Sequence, residues 1–342
     1  MGARRGLPKR WKISVSSWSI DDWRNYATKR LHALFNKHRV LSTREMEARL
    51  SDFGTNLLPR VDPHLITTAR TMLKLQVVST TPIPLYALPN VSKSSIRSYI
   101  ARKKLLNEAF VNHFTKEEFC GDIAEIIVFN SMCQALNLSI EPHILGNVSQ
   151  IGNHTTNNPL DTYARLPFTD HLGNLTVAVL GIEIKNIREW IYPQSVEIWK
   201  ALKSCIDLDC LPIIISRAFH YTAFTFFRDV GVFGRKTGHQ YFSTKLWKHP
   251  LYSAVKKELC FRDMVLWKED KPDPMVTRFF SEILPQHISR ITQIYQLHKQ
   301  LIAKYAQGPL HDENTDISDR SEIFNQFRND FKQLHNLTET QW

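Results

Sequence analysis

The stretch Leu175–Lys185, Leu-Thr-Val-Ala-Val-Leu-Gly-Ile-Glu-Ile-Lys, constrains this chain more than any other. Read as a strand, its side chains point alternately to two faces. Val177, Val179, Gly181, Glu183 and Lys185 share one face, while Ala178, Leu180, Ile182 and Ile184 make the other wholly apolar. Such a strand belongs inside a sheet, yet it ends in two charges. Burying them is costly unless they pair, coordinate a metal or reach solvent, so Glu183 and Lys185 are the first candidates for chemistry.

The neighbouring segments alternate helix and strand. Phe119 to Leu136 predicts a helix with Ile123, Ala124, Ile127, Val128 and Met132 as its buried stripe and Glu125 amid it. A strand is expected at Ile140–Leu145. Asn157-Asn158-Pro159-Leu160-Asp161 then leads into Thr162–Leu166, and Asp170-His171-Leu172-Gly173-Asn174 supplies turn chemistry. After the long strand come a helix from about Gln194 to Ile206, a buried strand Leu211–Ser216 and a helix from about Phe219 to Val230.

This order and these residues resemble the PD-(D/E)XK nuclease superfamily, over about residues 113–245. The matching residues are Glu125 on the helix, Pro159-Leu160-Asp161 for the Pro-x-Asp element and Glu183-Ile184-Lys185 for Glu-x-Lys. Glu189-Trp190-Ile191-Tyr192-Pro193 also resembles a run found in bacterial relatives. The resemblance implies an α/β, restriction endonuclease-like αβββαβ core and a metal-dependent endonuclease that hydrolyses phosphodiester bonds. Asp161 and Glu183 are hard oxygen ligands suited to Mg²⁺, with Mn²⁺ as the alternative. The resemblance adds the Ile184 carbonyl as a ligand and Glu125 as a direct or water-mediated one. Lys185 would orient and deprotonate the attacking water or stabilise developing charge.

Glu-x-Lys alone has little specificity. A second copy, Glu269-Asp270-Lys271, lies in a polar loop flanked by proline, without an apolar strand. Each site residue also has a bland alternative. Asp122 or Glu118 competes with Glu125, and Asp161 competes with Asp170 and could serve only as a turn residue. Glu183 and Lys185 could form a surface ion pair of little consequence. Arg188 and Gln194 are candidates for phosphate contacts, and Arg217, His220 and Tyr221 follow the next strand, where this fold would bring them near the site.

Charge divides the chain. Residues 1–112 hold 20 Lys+Arg and 7 Asp+Glu, a surplus of +13, whereas residues 113–342 hold 24 and 26, a balance of −2, which together give the +11 of the whole. A basic surplus points to polyanions, nucleic acid first. Ser19 can cap a helix carrying Trp23, Tyr26, Leu31, Leu34 and Phe35. Ser42 with Glu45 forms a capping box, and Asp62-Pro63 opens a helix to about Leu75. Val77-Val78 and Leu85–Leu88 read as a hairpin, and Ser94–Phe114 as a linking helix. Three helices and a hairpin resemble a winged helix, which would present Arg70 and Lys74 to DNA.

Beyond Tyr252 motifs fade. Pro274–Tyr305 and Ser318–Leu337 are candidate helices, separated by a polar linker at Gly308–Ser318. The expected organisation is a basic winged-helix-like domain over 1–112, a nuclease-like domain over 113–250 and a helical C-terminal extension over 251–342. The five cysteines include no Cys-x-x-Cys pair, so neither a disulfide framework nor a zinc site is indicated. No apolar run approaches the ~20 residues that span a bilayer, and Met1 to Lys12 lacks the apolar core of a signal peptide. A soluble, cytoplasmic protein with no membrane partner is expected, with DNA as partner and room for a homodimer or an ATPase or helicase. The rival readings are an inactive nuclease fold that binds DNA or docks a partner, and a structure-specific nuclease or RNase.

Overall fold

The computed structural model describes residues 17–52, 58–135, 141–143, 146–170 and 172–335. Met1 to Lys12, Gly54, Ile140, Ile144, Leu145, His171 and Leu337 lie outside them. In chain order the elements are α1 (Ile20–His38), β1 (Leu41–Ser42), α2 (Thr43–Glu47), α3 (Pro63–Met72), β2 (Gln76–Ser79), β3 (Leu85–Ala87), α4 (Lys93–Ala109) and α5 (Ile123–Ala135). Strands β4 (Glu141–His143), β5 (Val148–Ile151), β6 (His154–Leu160), β7 (Thr162–Thr169) and β8 (Leu175–Lys185) follow. Then come α6 (Val196–Asp207), β9 (Leu211–Ser216), α7 (Tyr221–Val230), β10 (Phe233–Lys236), β11 (Gln240–Ser243), α8 (Tyr252–Glu258) and β12 (Met264–Trp267). The chain closes with α9 (Pro274–Arg278), α10 (Leu284–Ala306) and α11 (Ile317–Leu334). The protein is mixed α/β and folds as two compact units: Met1–Phe119 with Thr244–Val265, and Cys120–Ser243 with Leu266–Trp342. Residues 244–265 thus return to the first unit, so the units are not consecutive in sequence as the three expected segments are.

In the first unit, helix starts are written in side chains. Ser19 Oγ accepts the Asp22 N–H at 3.2 Å while the Asp22 carboxylate accepts the Ser19 N–H at 2.9 Å; Ser42 and Glu45 repeat the device at α2. Asp62 accepts the His64 N–H at 2.8 Å, and Pro63 takes the first position of α3. This helix stops at Met72, short of Leu75, and Lys74 beyond it turns to φ +51°. Ala27, Leu31 and Phe35 line the inner face of α1 and join Leu41, Met46, Leu65, Ile66 and Tyr86 in one core. The three short strands form an antiparallel sheet in the order β1-β3-β2. The returning segment is tied to α4 and to the turn that follows it: Phe261 lies edge-on to Phe110, just past the helix, at 4.9 Å, and the Glu258 carboxylate receives Arg102 Nε at 3.1 Å. Beneath it the buried carboxylate of Glu45 pairs with Lys103.

The second unit is built on a five-stranded sheet in the order β10-β9-β8-β7-β4. β4, β7 and β8 run antiparallel, and β8, β9 and β10 run parallel. A parallel strand needs both faces covered, and all six residues of β9 are buried. On one face of β8, Gly181 lies against Cys205 and Cys210, and a Cβ there would fall 2.4 Å from the Cys210 sulfur. On the other, Ile184 meets Ala124 and Val128 of α5 around a small cavity. Helix α6 buries Ile198, Trp199, Leu202 and Cys205, and Trp199 joins Phe226, Phe324 and Phe327 of α7 and α11 in an aromatic cluster. The segment leading to Asp161, not assigned as strand from the sequence, forms the hairpin β5–β6. All five cysteines are free thiols. Among the described residues no helix is long and apolar enough to cross a membrane.

Candidate active site

Strand β8 sets the geometry. Its register with β7 runs from Thr169 opposite Leu175 to Thr162 opposite Ile182. Asp161, one residue before β7 begins, therefore stands beside the end of β8. Its carboxylate accepts the Ile184 backbone N–H at 2.5 Å. The bond places Asp161 at the residue that separates Glu183 from Lys185, so the Asp and the Glu-x-Lys meet across adjacent strands. Asp170 does not compete for this position. It sits at the opposite end of the β7–β8 hairpin, where its side chain accepts the N–H groups of Leu172 and Asn174 at 2.8 and 2.9 Å.

Glu183 is 7% exposed and its carboxylate pairs with the Lys185 ammonium. Burial, and then the neighbouring Asp161 carboxylate, push the Glu183 carboxyl up to about 7. Burial raises Asp161 too, against the pull of Lys185 and of the Ile184 N–H. Burial draws Lys185 down, but the carboxylates of Glu183 and Asp161 outweigh it and hold its ammonium above the ordinary range. Glu125, half-buried on α5, is pushed up to about 7 by burial, then by Asp161 and Asp122, with Glu183 adding to it. The four residues singled out from the sequence thus share one electrostatic field. Asp122 belongs to it as well, but is exposed; Glu118 is exposed and lies outside the second unit.

Lys185 stands in register with Ser216, and Ser216 with Lys236. Three parallel strands therefore end at one level, the edge at which open α/β sheets receive ligands. Lys236 was not found in the sequence because Phe233–Lys236 is too short and too polar to read as a strand. Its ammonium lies 5.3 Å over the Trp190 ring. Glu197 and Lys200 on α6 also act on the site, Glu197 on Lys185 and Lys200 on Glu183. The only sequence signal for them is their place on the helix that follows the motif.

A polar clamp supports the end of β8. Ser216 Oγ donates to the Lys185 carbonyl at 3.0 Å. Asn186 receives the Tyr241 N–H at 2.9 Å and donates to the Tyr241 carbonyl at 2.7 Å, and the Tyr241 hydroxyl donates to Asp273 at 2.7 Å. The cavity under Ile184 and Lys185 has about 10 Å³, room for no more than a water. A large substrate would have to lie across the strand ends.

The outlying candidates are placed differently. Arg188 is 3% exposed, and its carbonyl accepts a hydrogen bond from Arg217. His220 caps α7 and stacks on Tyr192 at 4.7 Å. In the first unit the Arg70 guanidinium is turned back 4.0 Å over the Tyr86 ring and donates to Thr43 at 3.2 Å, while Lys74 is exposed beyond the end of α3. The second Glu-x-Lys lies in a turn, where Ser243 donates to Glu269 at 3.4 Å.

Among the described residues no group of three or more His, Cys, Asp and Glu side chains is arranged to hold a metal ion. Asp161 and Glu183 nevertheless fit a hard divalent cation: they are two oxygen donors in a buried place that makes the charge of both costly, and Asp161 adds to the cost at Glu183. A comparison of the chain with protein-family models, curated proteins and solved structures finds no match in any of the three.

Proposed function

We propose that the protein is a metal-dependent endonuclease of the PD-(D/E)XK kind, cutting DNA with its second unit and holding it with its winged-helix-like first unit. One observation carries this reading: the Asp161 carboxylate is bonded to the N–H of Ile184, between Glu183 and Lys185. The element order α5, β4, β7, β8, α6, β9 and the mixed sheet support the restriction endonuclease-like core. Three helices with a β1-β3-β2 sheet support the winged-helix-like reading of the first unit.

Asp161, Glu183 and the Ile184 carbonyl would hold Mg²⁺ or Mn²⁺, with Glu125 bound directly or through a water; the ion would neutralise charge on the scissile phosphate and acidify a bound water. The chain's own groups do the rest. Lys185 orients the attacking water and stabilises the charge that develops on the phosphate oxygens. Asp161 ties β7 to β8 and fixes the spacing of the carboxylates. Asn186 and Ser216 hold the strand end in place, since positioning of this kind supplies much of the rate of phosphoryl chemistry.

Purified protein incubated with supercoiled plasmid, linear duplex, branched DNA and RNA, with Mg²⁺, Mn²⁺ or EDTA, tests the reading. Cleavage of DNA that needs the metal and disappears in Asp161→Ala and Lys185→Ala is expected. Cleavage that survives both substitutions removes the assigned site. Cleavage of RNA alone selects an RNase, and no cleavage of any substrate selects an inactive fold that binds or docks.

A further inference from the structure

The first unit contains a groove of about 500 Å³ between the end of α1, the start of the turn after α2, α4 and α8. Its walls include Lys37, Arg49, Arg102, Lys103 and Lys257. Five cations face two carboxylates, and both carboxylates are already engaged: Glu258 by Arg102, and Glu45, buried beneath the groove, by Lys103. Arg49 gives one N–H to the Glu258 carbonyl at 2.6 Å, and its Nε is buried with no hydrogen-bond partner. Lys37 and Lys257 are exposed on the rim. His38, on the same wall, is held well below its ordinary range by burial and by Arg49, Lys103 and Lys37. The groove therefore holds uncompensated positive charge. A phosphate diester matches it, because its oxygens accept from guanidinium forks and ammonium groups alike.

The third helix offers much less. The exposed positions of α3 and its end are His64, Thr67, Thr71, Met72 and Lys74, and its one arginine is packed on Tyr86. We propose that the first unit grips the phosphate backbone of duplex DNA in the groove lined by Lys37, Arg49 and Lys257, and that α3 contributes little to the grip. This rests on the reading of the protein as one that binds and cuts DNA. It names the surface that does the binding.

The test uses the full chain and a fluorescently labelled short duplex, with affinity followed by anisotropy over a range of salt. Lys37→Glu/Lys257→Glu reverses two rim charges, and Lys74→Glu/Lys93→Glu makes the same change of net charge outside the groove. Thermal unfolding checks that both variants fold, as expected for exposed lysines. The groove variant is expected to bind at least about tenfold more weakly, with a salt slope lower by about two, as for the loss of two phosphate contacts. The control is expected to stay within about threefold of the parent, a loss that long-range charge alone produces. Parent-like binding by the groove variant, or an equal or greater loss in the control, overturns the groove while leaving DNA binding intact. Failure of the parent protein to bind duplex at any salt overturns the groove and the DNA-cutting reading together.

Discussion

Gly181 shows how closely packing and chemistry are joined in this protein. It lies two residues before Glu183, and a methyl group on it would meet the sulfurs of Cys210 and Cys205 at 2.4 and 2.8 Å and Leu160 at 2.8 Å. All three neighbours belong to one buried cluster, so the added volume has nowhere to go. Gly181→Ala should cost about 1–3 kcal/mol in urea unfolding and lower cleavage activity beyond that loss, by shifting the end of β8. Unfolding at the parent midpoint would show that the cluster can yield. Glu183 and Lys185 form a second tight dependence. Lys185→Met removes the ammonium beside a carboxylate that is 7% exposed, so it should lower stability as well as activity. Of these residues, the sequence makes Glu183 and Lys185 legible through alternation alone. Asp161 is legible only through its family resemblance, because the bond that places it comes from strand register, and register is a property of two segments.

Elements written in local chemistry were the readable ones. Ser19, Ser42 and Asp62 cap helices as their spacing predicts, and Leu175–Lys185 and Leu211–Ser216 form strands within the predicted bounds. The hairpin β5–β6 was not readable, since Asn157-Asn158-Pro159 carries turn and strand-breaking residues that outweigh Thr155 and Thr156, and the run shows no apolar alternation. Nor was the use of Glu45, which serves two masters. It completes a capping box with Ser42, and it pairs with Lys103 of α4 in a buried place. Lys103→Met should therefore cost about 3–5 kcal/mol, and adding Glu45→Gln should restore much of that loss, since the amide keeps an acceptor for the Ser42 N–H. Chemical denaturation of the two variants decides it: a double variant no better than the single would deny that the stranded charge is the cause. The end of α1 carries a pH dependence. The His38 imidazole, ordinarily near 6.5, is pushed down to about 4 by burial, then by Arg49, Lys103 and Lys37. The unfolded chain takes the proton first as pH falls, so the stability due to His38 is complete above 6.5 and is lost as pH drops from there toward 4. His38→Gln should flatten that part of the stability profile, measured by thermal unfolding between pH 4 and 7; an unchanged profile would place the titration elsewhere.

At the scale of the whole molecule, charge and chemistry are kept in different units. The +13 of residues 1–112 lies in the unit with the basic groove, and the near-neutral remainder holds the whole of the unit with the carboxylates. Such a division accords with the proposed function, in which the first unit would attract the polyanion and the second would cut it. The charge count marks where the basic residues lie, but it gives no sign that residues 244–265 return to the first unit, because Phe261 and Glu258 find Phe110 and Arg102 only in the folded chain. The reading of the second unit turns on whether the Asp161 carboxylate, and not merely the bond it makes, is needed for cutting. Asp161→Asn keeps an oxygen that can accept the Ile184 N–H and removes the charge. Cleavage of supercoiled plasmid in Mg²⁺ by this variant, compared with the parent at equal stability, is the direct measurement: the structure predicts an unfolding midpoint close to the parent's and a rate lower by at least about 10²-fold, whereas parent-like cleavage by Asp161→Asn would contradict the assignment of the site.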